Sequence, residues 1–112
     1  MSKLSFDGIG AVVATFEADE GVKGGQVVKL TGNNKVGPCS AGDAFCGVAL
    51  EPRAGFVAVQ VRGFVTVSGT QSLSAGQTAL VADGKGSVKI GSGGEKILVA
   101  SVEADGTAVL CL

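Results

Sequence analysis

The chain has 112 residues, of which 46% are hydrophobic and 17% charged, with a net charge of −1. A chain of this length builds one domain, and its nine Lys and Arg are scattered among ten acidic residues with no basic stripe to follow a nucleic acid. It contains no His, which removes imidazole triads and bases, and its apolar runs are short and Gly-broken, so no segment reads as a membrane span.

Residues 1–10 read as irregular. They lack the apolar core of a signal peptide, which predicts a protein that stays in the cytoplasm where it is made. Residues 11–17 alternate, with Val12, Ala14 and Phe16 on one face and Val13, Thr15 and Glu17 on the other. That pattern predicts a strand with a free edge. A second strand is expected over 26–31, a hairpin turn at Gly32-Asn33-Asn34-Lys35, and a return over 35–39. After a loop at 40–43 comes a strand over 45–51 and a turn at 52–55. The most ordered-looking segment is 56–68, whose odd positions Val57, Val59, Val61, Val65 and Val67 form a β-branched wall. This wall is expected to face the core. Gly63 interrupts it, which predicts a bend or bulge in one long strand. The even positions mix Phe56 and Phe64 with Gln60 and Arg62, a combination suited to a subunit interface or, equally, to an ordinary outer sheet face with one exposed Phe. Strands over 78–82, 87–90, 96–102 and 107–112 complete the chain, joined by turns at Asp83-Gly84 and Ala104-Asp105-Gly106. No useful stretch has helical periodicity.

The chain also echoes itself at a spacing of 51 residues. Gly25-Gln26 returns as Gly76-Gln77, Val48-Ala49 as Val99-Ala100, and Gly55 as Gly106 before an apolar alternation. Three landmarks in one order predict two similar β-units, with 25–61 and 76–112 as the halves. The expected fold is all-β: a small barrel or β-tulip-like body with little or no helix. The chain divides into residues 1–20, an N-terminal arm and edge strand, and residues 21–112, a single β domain.

Little in the sequence offers chemistry. Three cysteines, Cys39, Cys46 and Cys111, without a signal peptide argue against a disulfide framework. With no His they form no zinc set, and they read as reduced core thiols behaving as small hydrophobes, with inter-subunit pairing as the lesser alternative. Asp83-Gly84-Lys85-Gly86-Ser87 lacks the spacing and the helix of a phosphate loop and reads as a hairpin. Glu17, Asp19 and Glu20 read as a solvated charge cluster at a strand end. No catalytic, cofactor-binding or metal-binding residue is assigned, and no enzyme activity is expected. Lys85 at a hairpin tip raises a lipoyl- or biotinyl-type carrier domain as an alternative, but Gly84 separates it from Asp83 and the flanking carrier signature is missing.

The order of segments from Gly25 to Leu112 resembles a family of small phage and prophage capsid decoration (cement) proteins. The residues that carry the resemblance are Gly25-Gln26-Val27-Val28 and the run Ala41-Gly42-Asp43-Ala44-Phe45-Cys46-Gly47-Val48-Ala49-Leu50. They continue with Val57–Val65, Ser74-Ala75-Gly76-Gln77, Asp83-Gly84-Lys85-Gly86 and Val109-Leu110-Cys111-Leu112. The resemblance implies a homotrimer on the outer surface of the expanded head, bound to the major capsid protein and stabilising the shell. It also implies attachment by an N-terminal arm. On that basis Val12, Ala14, Phe16 and Glu17 are candidates for capsid contact by strand addition. Phe56, Gln60, Arg62 and Phe64 are candidates for the oligomer interface. The alternative is a non-viral β interaction or scaffold module.

Overall fold

A computed structural model of the chain describes residues 10–70 and 72–112. It contains ten strands and, among the described residues, no helix. They are β1 (Val12–Ala18), β2 (Val27–Gly32), β3 (Lys35–Pro38), β4 (Gly47–Ala49) and β5 (Phe56–Arg62), followed by β6 (Phe64–Val67), β7 (Gly76–Ala82), β8 (Val88–Ile90), β9 (Glu95–Val102) and β10 (Ala108–Cys111).

The first five strands close a barrel in the order β1-β3-β2-β4-β5, and the last five form a sheet in the order β6-β10-β9-β7-β8. These are the same arrangement. In each unit the second and third strands form a hairpin, the second also pairs with the fourth, and the fourth pairs with the fifth. The first strand of each lies antiparallel to the fifth. The echo therefore covers more than 25–61 and 76–112, because it takes in β1 and β6 as leading strands. Its glycines share a positive φ: +82° at Gly25 and +131° at Gly76, +83° at Gly55 and +91° at Gly106. A similar backbone bond recurs with its donor one residue out of step, Ala18 N–H to Gly55 O at 2.9 Å and Thr70 N–H to Gly106 O at 3.0 Å. The units differ at one seam. In the first, β1 runs parallel to β3 through Glu17–Lys35 and Ala18–Val36, and no such ladder joins β6 to β8 among the described residues.

Each unit encloses its own core. Val28, Val36, Ala49, Val57 and Val59 fill the barrel, with Phe16, Ala18, Val22 and Val61 packed at its margin. Val65, Val67, Leu73, Leu80, Val88, Val99, Ala108 and Leu110 form the core of the second unit. Counterparts 51 residues apart take the same role: Phe16 and Val67, Val22 and Leu73, Val57 and Ala108, Val59 and Leu110. Strand alternation joins the two units. Val28 points into the barrel, so Val27 points out of it, and both Val27 and Val48 pack into the second core. Backbone bonds sew the same junction, from Val27 N–H to Gly86 O at 3.0 Å, from Gly42 N–H to Ala82 O at 2.9 Å and from Ala82 N–H to Asp43 O at 2.9 Å.

Three expectations change. The segment 56–68 is two strands in two sheets, broken at Gly63, whose φ is +98°. Parity survives the break, so Val57, Val59, Val65 and Val67 are all buried, but the first pair serves one core and the second pair the other. Val61 stays half-buried at the barrel margin. Second, Val12 does not share a face with Ala14 and Phe16. A register shift sets Val12 opposite Arg62 and Val13 opposite Gln60, so both valines stand outside the barrel, 51% and 48% exposed. Third, the strand at 11–17 is a wall of the barrel, paired with β5 along its length and with β3 at its end. On the β3 side its edge from Val12 to Phe16 has no partner strand among the described residues. The rest of the expected arm, residues 1–9, lies outside the described residues.

Candidate interaction surface

Among the described residues several polar side chains serve structure. Lys29 Nζ donates to Asp43 Oδ2 at 2.6 Å, and the same oxygen accepts from Ser40 N–H at 2.8 Å. The lysine and then the Ser40 amide hold the Asp43 carboxyl below its ordinary range, and the Asp43 carboxylate raises Lys29. This bond fastens the loop before β4 to β2. Burial pushes the neighbouring Cys39 thiol up to about 11, and burial raises Cys46 as well. Both are therefore protonated and poor nucleophiles at neutral pH. All three cysteines are free thiols. Among the described residues no group of three His, Cys, Asp or Glu side chains could hold a metal ion, and no helix is long and apolar enough to cross a membrane.

The Lys85 turn is built into the body. Asp83 Oδ1 accepts from Lys85 N–H at 2.6 Å and from Ser87 N–H at 3.0 Å. Gly84 lies against Ala41, Gly86 lies against the Gln26 side chain, and Gly86 O receives the Val27 amide. A carrier domain needs its lysine on a protruding hairpin, whereas this turn is a junction between the two units.

The residues expected to contact a capsid divide. Ala14 and Phe16 are half-buried and pair with Val59 and Val57 across the barrel wall, so their side chains serve the body. Val12 and Glu17 are exposed. The expected interface residues divide too. Gln60 Nε2 donates to Arg62 O and to Phe64 O, both at 3.0 Å, and so straps the kink at Gly63. Phe64 is half-buried, while Arg62 is exposed and Phe56 is 53% exposed.

What the sequence missed is the continuity of the barrel's outer wall. Glu17 lies opposite Phe56, Thr15 opposite Ala58 and Val13 opposite Gln60 on β1 and β5. Leu50 N–H donates to Ala58 O at 2.8 Å, which adds Leu50, 45% exposed, to the same wall. Beside it a hollow of about 420 Å³ opens where the barrel meets β6, lined by Gly24, Leu50, Glu51, Gln60, Phe64 and Thr66 among others. The missing signals were the bulge at Val12–Val13 and the approach of Leu50, which depend on pairing register and cannot be read from alternation. No protein-family model matches the chain, and no curated protein matches it.

Proposed function

We propose that the protein is a virion structural protein, a decoration protein that binds the outer surface of the expanded phage head as a homotrimer and stabilises it. Made in the host cytoplasm, it joins the capsid surface after assembly. The observation that carries this reading is the order of Gly-punctuated segments from Gly25 to Leu112, which resembles the decoration proteins. The architecture suits the role. Two five-stranded units share a junction of buried valines and backbone bonds, and this gives a compact body in which the Lys29–Asp43 pair ties the loop before β4 to β2. Such a body works mechanically, bridging neighbouring major capsid subunits with many weak contacts that act together. The exposed β1 edge from Val12 to Phe16 supports strand addition to a capsid sheet as one mode of attachment.

The test is addition of the pure protein to expanded, undecorated phage heads assembled from a purified major capsid protein. Saturable binding at a fixed ratio to capsid subunits, with heads that withstand higher temperature before releasing DNA, supports the reading. Absence of binding rejects it and leaves the non-viral scaffold module.

A further inference from the structure

The pairing registers place one row of residues twice in the chain. In the first unit Val13, Gln60, Val48 and Val27 lie side by side across β1, β5, β4 and β2. In the second unit Phe64, Cys111, Leu98 and Gln77 lie side by side across β6, β10, β9 and β7. Each row stands on the outer face of its unit, yet the matching ends of the two rows meet different surroundings. Val48 and Val27 are buried, because they enter the core of the second unit. Leu98, in the place of Val48, is 40% exposed, and Gln77, in the place of Val27, is exposed as well. The chain thus shows this face covered once and open once. A leucine exposed where its counterpart is covered marks a contact surface.

Charge and shape indicate what covers it. Lys96 lies opposite Ala79 and Lys89 opposite Val81, so strand alternation puts both cations on the face of Gln77 and Leu98. Both are exposed, and neither is in an ion pair among the described residues. No Asp or Glu holds an outward position on β6 to β10, since Glu95 lies opposite the buried Leu80. An apolar centre beside two unpaired cations fits an acidic partner. A hollow of about 360 Å³ adjoins the face, lined by Phe45, Ile97 and Cys111 with Arg62, Lys96 and Glu95 as its charged groups. It has room for an aliphatic side chain, and its cations outnumber its acid. A second copy of the chain cannot repeat the docking seen inside the molecule. Its second unit is already filled by its own Val27 and Val48, and its first is closed by the β1–β3 ladder.

We propose that the outer face of β7 to β10, centred on Leu98 between Lys96 and the Cys111 hollow, docks an aliphatic segment flanked by acidic residues on another protein. The inference rests on the decoration reading, which makes that protein the major capsid protein, and it adds a second contact surface to the β1 edge.

Co-sedimentation of the full chain with expanded, undecorated phage heads tests it. Leu98→Gln is expected to weaken binding about tenfold, the scale of a truncated interface anchor. The pair Lys89→Glu and Lys96→Glu is expected to weaken it at least as much and to remove most of its salt dependence. The pair Lys23→Glu and Arg53→Glu makes the same charge change at exposed positions of the first unit and is expected to bind like wild type. Wild type that binds while Leu98→Gln and the Lys89 and Lys96 pair bind equally well overturns this inference and leaves the decoration reading standing. Equal weakening by the Lys23 and Arg53 pair also overturns it, since net charge alone then sets the affinity. Wild type that does not bind rejects the decoration reading and this inference with it. If a variant loses the wild-type circular dichroism, acetylation of wild-type lysines decides. Lys89 and Lys96, compared with Lys23, are expected to react several-fold more slowly on heads than in the free protein, and unchanged rates overturn the proposal.

Discussion

Val59 and Leu110 hold equivalent places in the two units, and each is 0% exposed. Truncating each to alanine tests whether the units are one cooperative body. Val59→Ala removes two methyl groups from the barrel, about 1.6 kcal/mol of transfer free energy at ~0.8 each. The cavity left behind raises the cost to about 2–3 kcal/mol. Leu110→Ala removes more from the second core and is expected to cost about 3–4 kcal/mol. The residues sit in separate clusters, so the double variant should show the sum to within ~0.5 kcal/mol. The units share the Val27 and Val48 packing and the Gly42–Ala82 and Gly63–Leu112 backbone bonds. Each substitution should therefore move a single transition for the whole chain. Urea unfolding followed by circular dichroism, with scanning calorimetry beside it, measures this. Val59→Ala is expected to lower the melting temperature by about 8–12 °C at ~4 °C per kcal/mol. Two resolved transitions, only one of which responds to Val59→Ala, would refute the shared-core account.

Deleting residues 1–17 removes nearly all of β1, which pairs with both β5 and β3. The truncated protein should lose its native circular dichroism; a folded 1–17 deletion would show that the barrel closes without β1. The Asp43 and Asp105 carboxyls are held below their ordinary values, chiefly by Lys29 and by the Thr107 amide. Such groups stabilise the fold above the unfolded carboxylate pKa of about 3.9 and lose that contribution as pH falls through the lower folded values. Melting temperature should fall below about pH 4, and Asp43→Asn should flatten part of that fall. Cys39, with its thiol pushed up to about 11, should react with iodoacetamide at pH 7.5 more than tenfold slower than a free cysteine peptide, read by mass spectrometry of the digested protein.

The sequence carried the strands well where local chemistry decides them. Asn33-Asn34 marked the β2–β3 turn, and Asn34 has a φ of +59°. The wall of odd-numbered valines kept its inward parity across Gly63. Partners were harder to read, because a residue's cross-strand neighbour is set by register and not by its own alternation. The 56–68 segment looked continuous, since nothing local says that Val59 and Val65 belong to different cores. The repeat was visible at its glycines and hidden at β1 and β6, where Ala14 and Phe16 are matched by Val65 and Val67 in role but not in type. The candidate contact face was half legible. Phe56 stood out by size, but Leu50 and Val13 joined it only through the Leu50–Ala58 bond and the Val12–Val13 bulge. Gln60 looked like an interface residue because a strap across a kink needs two carbonyls that only the fold brings together.

The central claim is that this protein works on a phage head. Cryo-electron microscopy of expanded, undecorated phage heads, with and without added protein, tests it most directly. The account predicts new density on the outer surface at regular sites, into which two five-stranded units fit with the Glu95–Val102 and Phe56–Arg62 strands about where this structure has them. Heads that look identical with and without the protein at saturating concentration would contradict it.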